Sequence, residues 1–155
     1  MAIYEVSGRT TLTPATVAGV LCALRAPTRF CRVWEVHAFY VTAPTTSGNI
    51  GLCFSTALGT GTLTSVTPVA RSSRATGATA LLVTAWATLA PTNGGIGTVF
   101  RRLGTSNAIG GGVIWSFDRE PLEVIGGAAA TSELCLVNTI ATAPGTLDVT
   151  WVFEE

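Results

Sequence analysis

The sequence has little charge: only 12% of its 155 residues are Asp, Glu, Lys or Arg, against about 25% in an average soluble domain. It contains no lysine, and nine arginines balance nine acidic residues, so the formal net charge is zero. A neutral chain with 48% hydrophobic residues is poorly protected against self-association. These features argue against nucleic-acid binding through a basic surface, and they favour a protein whose surface is covered by copies of itself or by a larger assembly.

Metal and cofactor motifs are also lacking. Histidine occurs once, no two cysteines have the C-x-x-C spacing, and no glycine-rich segment is followed by Lys and Ser or Thr. The cysteines lie among apolar residues of predicted strands, where buried free thiols are expected and disulfides are not. The sequence therefore predicts no cofactor and no metal, and it predicts buried thiols at Cys22, Cys31, Cys53 and Cys135.

Long apolar runs are absent. No segment approaches the roughly 18 residues of a membrane span, and the first residues show neither the basic leader nor the apolar core of a secretory signal. The sequence thus predicts a protein that is folded in the cytoplasm and does not enter a membrane.

Glu, Lys, Gln and Met, which favour helices, are scarce, while Thr, Val and Gly are plentiful. Short apolar runs alternate with clusters of Gly, Pro, Asn and Ser, a pattern typical of all-β sandwiches and barrels, and the length suits one domain. We therefore predict an all-β, single-domain antiparallel β-sandwich, jelly-roll-like, over residues 15–155. An extended N-terminal arm or edge strand is predicted over residues 1–14.

The segment from Phe30 to Val41 is predicted to be the central strand, because it is the longest run of β-branched and aromatic residues without Gly or Pro. The segment Ile50–Ser55 is predicted to be its hairpin partner. Strict alternation would place Arg32, Trp34, Val36, Ala38 and Tyr40 on one face and Cys31, Val33, Glu35, His37 and Phe39 on the other.

The remaining apolar runs predict strands at 16–24, 79–87, 98–103, 113–117, 122–125, 133–137 and 147–153, with a long excursion over 57–79. The acidic turn at Asp118 and Glu120 could offer carboxylates to calcium, but a solvated hairpin tip is the favoured interpretation.

Charged residues suggest two candidate sites. Glu35 and His37 share a face of the predicted strand, yet a catalytic dyad needs a nucleophile or a metal, and the sequence offers only generic Ser and Thr residues. Arg101 and Arg102 are adjacent, so at most one should face solvent while the other pairs with a carboxylate. We therefore predict structural or interface roles and no enzyme.

The four tryptophans lie in predicted strands beside aliphatic residues, which favours the hydrophobic core. The alternative is a sugar-binding platform, which predicts that Trp86 or Trp115 is exposed in a groove.

Five stretches together resemble a known family: Arg32–Phe39, Ser55–Thr60, Trp86–Thr92, Gly112–Phe117 and the ending Trp151–Glu155. They are similar to the small jelly-roll decoration, or cement, proteins of tailed bacteriophages. The resemblance implies a homotrimer or similar oligomer that is made in the host cytoplasm, binds the major capsid protein on the outside of the virion and stabilises the shell. A carbohydrate- or receptor-binding module of a phage tail or head fibre is the alternative.

The residues predicted to contact another subunit or the capsid are Tyr4, Glu35, His37, Arg101 and Arg102.

Overall fold

The computed structural model describes residues 1–11, 19–26, 30–55, 63–72, 76–86, 97–104, 106, 108–125 and 133–155. These residues form twelve strands and no helix, which confirms the all-β prediction. The strands are β1 (Ile3–Arg9), β2 (Val20–Arg25), β3 (Cys31–Tyr40), β4 (Asn49–Ser55), β5 (Leu63–Val66), β6 (Val69–Ala70), β7 (Leu81–Trp86), β8 (Arg101–Gly104), β9 (Gly112–Ser116), β10 (Leu122–Val124), β11 (Glu133–Asn138) and β12 (Leu147–Glu154).

The strands form two antiparallel sheets, as expected of a sandwich, while a jelly-roll connectivity stays a prediction. Sheet A has the order β10-β3-β12-β1-β6, with β9 also paired to β3, and sheet B has the order β5-β7-β2-β11-β4-β8. Apolar side chains from both sheets form one core, and the largest of them are fully buried: Trp151, Tyr40, Phe153, Leu24 and Leu134.

The strand predicted over 30–41 is β3, and it is central in sheet A, between β12 on one edge and β9 with β10 on the other. Its predicted hairpin with Ile50–Ser55 is wrong, because β4 lies in sheet B between β11 and β8. Residues 41–48 separate the two strands, and this length suits a crossing between sheets better than a tight hairpin turn.

The N-terminal segment lies inside sheet A. β1 pairs with β12 from Ile3 to Arg9 and with β6 at Tyr4 and Glu5, so it is one strand removed from the edge. The segment over 1–14 was predicted as an arm or an edge strand; its residues 3–9 form this paired strand, and residues 12–14 lie outside the described part of the chain.

A β-bulge interrupts the alternation of β3. Val152 of β12 stands opposite Glu35 and Phe153 stands opposite Val33, so Trp34 is the extra residue. Beyond the bulge, the residues that face the core change from odd-numbered to even-numbered positions. The strict alternation predicted above is therefore wrong. The residues that enter the core are Cys31 and Val33 before the bulge and Val36, Ala38 and Tyr40 after it.

On the opposite edge of β3, neither β9 nor β10 pairs with Trp34. Strand β9 pairs with residues 35–39 and β10 pairs with residues 31–33, both along the same edge of β3. Residues 117–121 loop out between them, and the backbone N–H of Phe117 donates to the carbonyl oxygen of Trp34 at 2.9 Å. The predicted hairpin tip at 118–120 is thus wrong, because the flanking strands do not pair with each other; the segment is an exposed loop within one interrupted edge strand.

The outer faces of the two sheets differ. The outward side chains of sheet B form a second, smaller apolar cluster that is buried, and Val99 packs against it. The buried members are Val20, Ala23, Cys53, Val83, Cys135 and Val137. On sheet A the outward residues of β1 and β9 are largely exposed. Sheet A therefore presents the open face of the sandwich.

The carboxylate of Glu155 joins the end of sheet A to the start of β7 in sheet B. It accepts hydrogen bonds from the backbone N–H groups of Thr79 at 2.9 Å and Ala80 at 3.1 Å, and from the Thr79 hydroxyl. The backbones of Ala2 and Glu155 also exchange two hydrogen bonds, at 3.0 and 3.1 Å. The carboxylate contacts join the two sheets at this end, whereas the backbone pair extends the β1–β12 ladder within sheet A.

Replacing Glu155 with alanine is expected to lower the free energy of unfolding by about 2 kcal/mol, because hydrogen bonds to a charged group contribute roughly 1.5–3 kcal/mol each and this site is only partly buried. Urea unfolding measures the change. Glu154→Ala is the matched control, since no hydrogen bond of the Glu154 side chain is seen in the described residues. Equal losses for both variants would contradict the role of this carboxylate.

Candidate functional site

The predicted contact residues do not form one cluster. Tyr4 lies in the core: it is 3% exposed, its ring stacks on Phe153 with centroids 5.7 Å apart, and its hydroxyl donates to the carbonyl oxygen of Thr76 at 2.6 Å. Its side chain is therefore not available on the surface of the folded chain.

Glu35 and His37 lie together on the outer face of sheet A. Nε2 of His37 is 3.0 Å from Oε2 of Glu35, and both side chains are half-buried. In the described residues Glu35 is the only side chain that hydrogen-bonds His37. Directly across the strands, His37 is flanked by Thr150 and Ile114. Among the described residues no hydroxyl or thiol side chain hydrogen-bonds this pair, so the prediction of a structural or interface role for it stays a prediction.

The open face around His37 combines neutral polar and apolar side chains. Ser7 and Thr150 share a hydrogen bond of 2.8 Å, Phe39 is 37% exposed, and Ile114 is 57% exposed. We call Ser7, His37, Phe39, Ile114 and Thr150 the outer patch.

A glycine exposes the aromatic side chain of this patch. Gly112 stands opposite Phe39, and a Cβ on Gly112 would collide with the carbonyl oxygen of Ala38 and lie 2.6 Å from the Phe39 ring. The ring therefore lies over bare backbone, with no neighbouring side chain from β9 to cover it.

Charges beside the outer patch are neutralised within the sheet. Arg9 bonds Asp148 at 2.7 Å, and this hydrogen bond holds the pKa of the Asp148 carboxyl below its ordinary value. Arg71 bonds Glu5 at 3.0 Å. Each pair has no net charge. The face therefore does not present a predominantly positive or negative electrostatic potential to a partner.

Arg101 and Arg102 are both exposed, so the prediction that only one of them faces solvent is wrong. Among the described strands, β8 lies at the edge of sheet B and pairs with β4 alone, and the arginines on both of its faces are exposed. Neither arginine forms an ion pair with a carboxylate in the described part of the chain. Arg101 instead places its guanidinium 6.0 Å from the centre of the Phe117 ring.

The four cysteines are buried, as predicted. Burial raises the pKa of Cys22 and Cys31 to about 12 and that of Cys53 to about 11, and it raises the pKa of Cys135 as well. Near neutral pH these buried side chains are therefore thiols and not thiolates. In the ranges that the structure describes, no three His, Cys, Asp or Glu side chains are grouped to hold a metal ion.

A buried ion pair was not predicted from the sequence. Glu133, at the start of β11, is fully buried and pairs with Arg25, which stands opposite it at the end of β2 and is 15% exposed. Burial raises the pKa of Glu133, while the charge of Arg25 acts in the opposite direction. Within the described part of the chain, Oε2 of Glu133 has no hydrogen-bond partner. The feature of the sequence that could have indicated this pair is an acidic residue, Glu133, at the start of an otherwise apolar strand.

The tryptophans divide between core and surface. Trp115 and Trp151 are buried in the core, as predicted, whereas Trp34 is only half-buried and lines an open groove. The side chain of Trp86 lies outside the described part of the structure. Burial of Trp115 removes it as a sugar-binding platform, and Trp34 is the described tryptophan that a ligand could reach.

No protein-family model, curated protein or solved structure matches this chain. The resemblance to decoration proteins therefore stays a prediction. In the described ranges no helix has the length and hydropathy that crossing a bilayer requires.

Proposed function

We propose that the chain is a structural assembly protein: a decoration protein of a tailed bacteriophage that forms a homo-oligomer, binds the major capsid protein on the outside of the shell and stabilises it. One observation carries the proposal. The outward apolar side chains of sheet B are buried, whereas the outer face of sheet A is open and presents Phe39 and Ile114 beside neutral polar groups.

The charge of this face suits a binding surface. The paired charges at Arg9 and Asp148 and at Arg71 and Glu5 need no counter-charges from the partner. Binding should therefore depend on apolar area and hydrogen bonds and respond only weakly to salt.

The proposal includes no catalytic step. His37 and Glu35 contribute a polar, hydrogen-bonded centre to the outer patch, which fixes the orientation of a partner, while Phe39 and Ile114 supply apolar contact area.

The composition of purified particles tests the proposal. Particles banded on a density gradient should carry this chain in a fixed ratio to the shell protein, as measured by quantitative mass spectrometry. Particles that lack the chain should release their DNA at a lower temperature, and addition of purified chain should restore the original temperature. Recovery of the chain only in the soluble fraction, or equal release temperatures with and without it, would refute the proposal.

A further inference from the structure

The bulge at Trp34 creates a groove that the assembly role does not explain. Both neighbours of β3 skip this residue: β12 by its register shift and the opposite edge by the loop 117–121. Bulges of this kind commonly redirect one side chain, and they interrupt the hydrogen-bond ladder that a regular sheet would complete. Here the redirected side chain is an indole that stays half exposed.

The groove has a volume of about 520 Å³, within the range of roughly 300–1,000 Å³ that small-molecule sites occupy. We call it the Trp34 groove. Its lining residues are Arg32, Trp34, Arg119, Glu120, Pro121 and Glu123.

The charges of the Trp34 groove cancel. Arg32 bonds Glu123 at 3.0 Å and places its guanidinium 5.5 Å from the centre of the Phe30 ring, which fixes that pair on one side. Arg119 and Glu120 are exposed, and neither forms an ion pair with another described residue. Two arginines and two glutamates thus surround the indole with strong hydrogen-bond donors and acceptors but no net charge.

The loop that carries these groups is held in place. Phe117 is buried at its start, the hydroxyl of Ser116 donates to Asp118, and the N–H of Glu120 donates to the carbonyl oxygen of Phe117 at 3.2 Å. Pro121 restricts the backbone at its end. A loop fixed in this way loses little conformational entropy when a ligand binds.

We propose that the Trp34 groove binds a neutral saccharide. The exposed indole offers a flat apolar surface for the C–H face of a sugar ring, and the guanidinium and carboxylate groups around it match the donors and acceptors of sugar hydroxyls. Phosphates and other anions are disfavoured, because Glu120 and Glu123 lie beside the two arginines. Trp34 and Phe39 are five residues apart along β3, about 16 Å at 3.3 Å per residue, so the groove lies away from the Phe39 end of the outer patch.

Titration with a panel of neutral trisaccharides, built separately from glucose, galactose, mannose and N-acetylglucosamine, tests this site. Binding is followed by the NMR signal of the Trp34 indole N–H, assigned through its loss in Trp34→Phe. At least one trisaccharide should bind at millimolar concentration or below and shift this signal. Dextran sulfate should bind no more tightly. Absence of binding by every trisaccharide, or tighter binding of dextran sulfate, would overturn the proposal.

Variants locate the binding to the groove. Trp34→Ala and the exposed-loop variant Glu120→Ala should each weaken the best trisaccharide at least about tenfold. If Trp34→Ala does not fold, Glu120→Ala still tests whether this groove binds the trisaccharide. Phe100→Ala is the control and should bind normally, because Phe100 is exposed and lines an adjoining groove with Phe54 and Arg101 but does not line the Trp34 groove. Equal weakening by Glu120→Ala and Phe100→Ala would contradict the assignment.

Discussion

Replacing Arg25 with methionine is expected to lower the free energy of unfolding by about 3–5 kcal/mol, which is the usual cost of leaving one member of a buried ion pair without its partner. Glu133 is fully buried, and among the described residues Arg25 is its ion-pair partner while Oε2 has no hydrogen-bond partner, so loss of the guanidinium leaves the carboxylate without its counter-charge. Urea unfolding of the variant measures this loss.

The loss should depend on pH. Burial raises the folded-state pKa of Glu133 above its unfolded value, and removal of Arg25 takes away the charge that opposes this shift. In the unfolded chain the pKa of this carboxyl is about 4.3. Because its pKa is higher in the folded chain, protonation of Glu133 stabilises the fold fully below the unfolded pKa. This stabilisation is lost as the pH rises through the folded pKa. The penalty of Arg25→Met should therefore be smaller at about pH 5 than at about pH 8.

The double variant Arg25→Met, Glu133→Leu provides the control. Replacement of a whole buried ion pair by apolar side chains is often neutral or stabilising, so the double variant should recover most of the lost stability. A double variant as unstable as Arg25→Met, or a penalty that is the same at both pH values, would contradict the account of this pair.

Replacing Ile114 with aspartate is expected to weaken attachment to the particle at least about 100-fold, or about 2.8 kcal/mol. The substitution places an uncompensated charge in the outer patch, where binding would remove it from water. Attachment is measured by adding the purified variant to particles that lack the chain and determining the bound fraction against concentration.

Ile125→Asp is the matched control for this experiment. Ile125 follows β10 and is 67% exposed, against 57% for Ile114, but it lies beyond the opposite end of β3. It should attach within a few-fold of the unmodified chain. Comparable attachment of the Ile114→Asp and Ile125→Asp proteins would show that the outer patch is not the contact.

Local patterns in the sequence predicted the parts of the fold that depend on local interactions. The β-branched and aromatic run at 30–41 identified the central strand, because such residues pack well on a two-sided pleated surface. The apolar neighbours of the cysteines and of Trp151 predict burial, and all of them are buried, Cys53 and Cys135 in the second cluster and the others in the core between the sheets. Burial is predictable in these cases because it follows from the hydrophobicity of the segment itself.

Features that depend on pairing between distant segments were not predictable. The bulge at Trp34 arises from the register of β3 against β12, more than 100 residues later in the chain, and one added residue moves every following side chain to the other face. The exposure of both Arg101 and Arg102 depends on β8 lying at a sheet edge. The partnership of Glu133 with Arg25 likewise requires β2 and β11 to be neighbours.

The central claim, that the outer face of sheet A is covered on the particle, is tested most directly by hydroxyl-radical footprinting of the free and the particle-bound chain. Oxidation of His37, Phe39 and Ile114 is expected to fall strongly when the chain binds the particle, while oxidation of Ile125 should hardly change. Unchanged oxidation of His37, Phe39 and Ile114 in the bound chain, with protection confined to other surfaces, would contradict it.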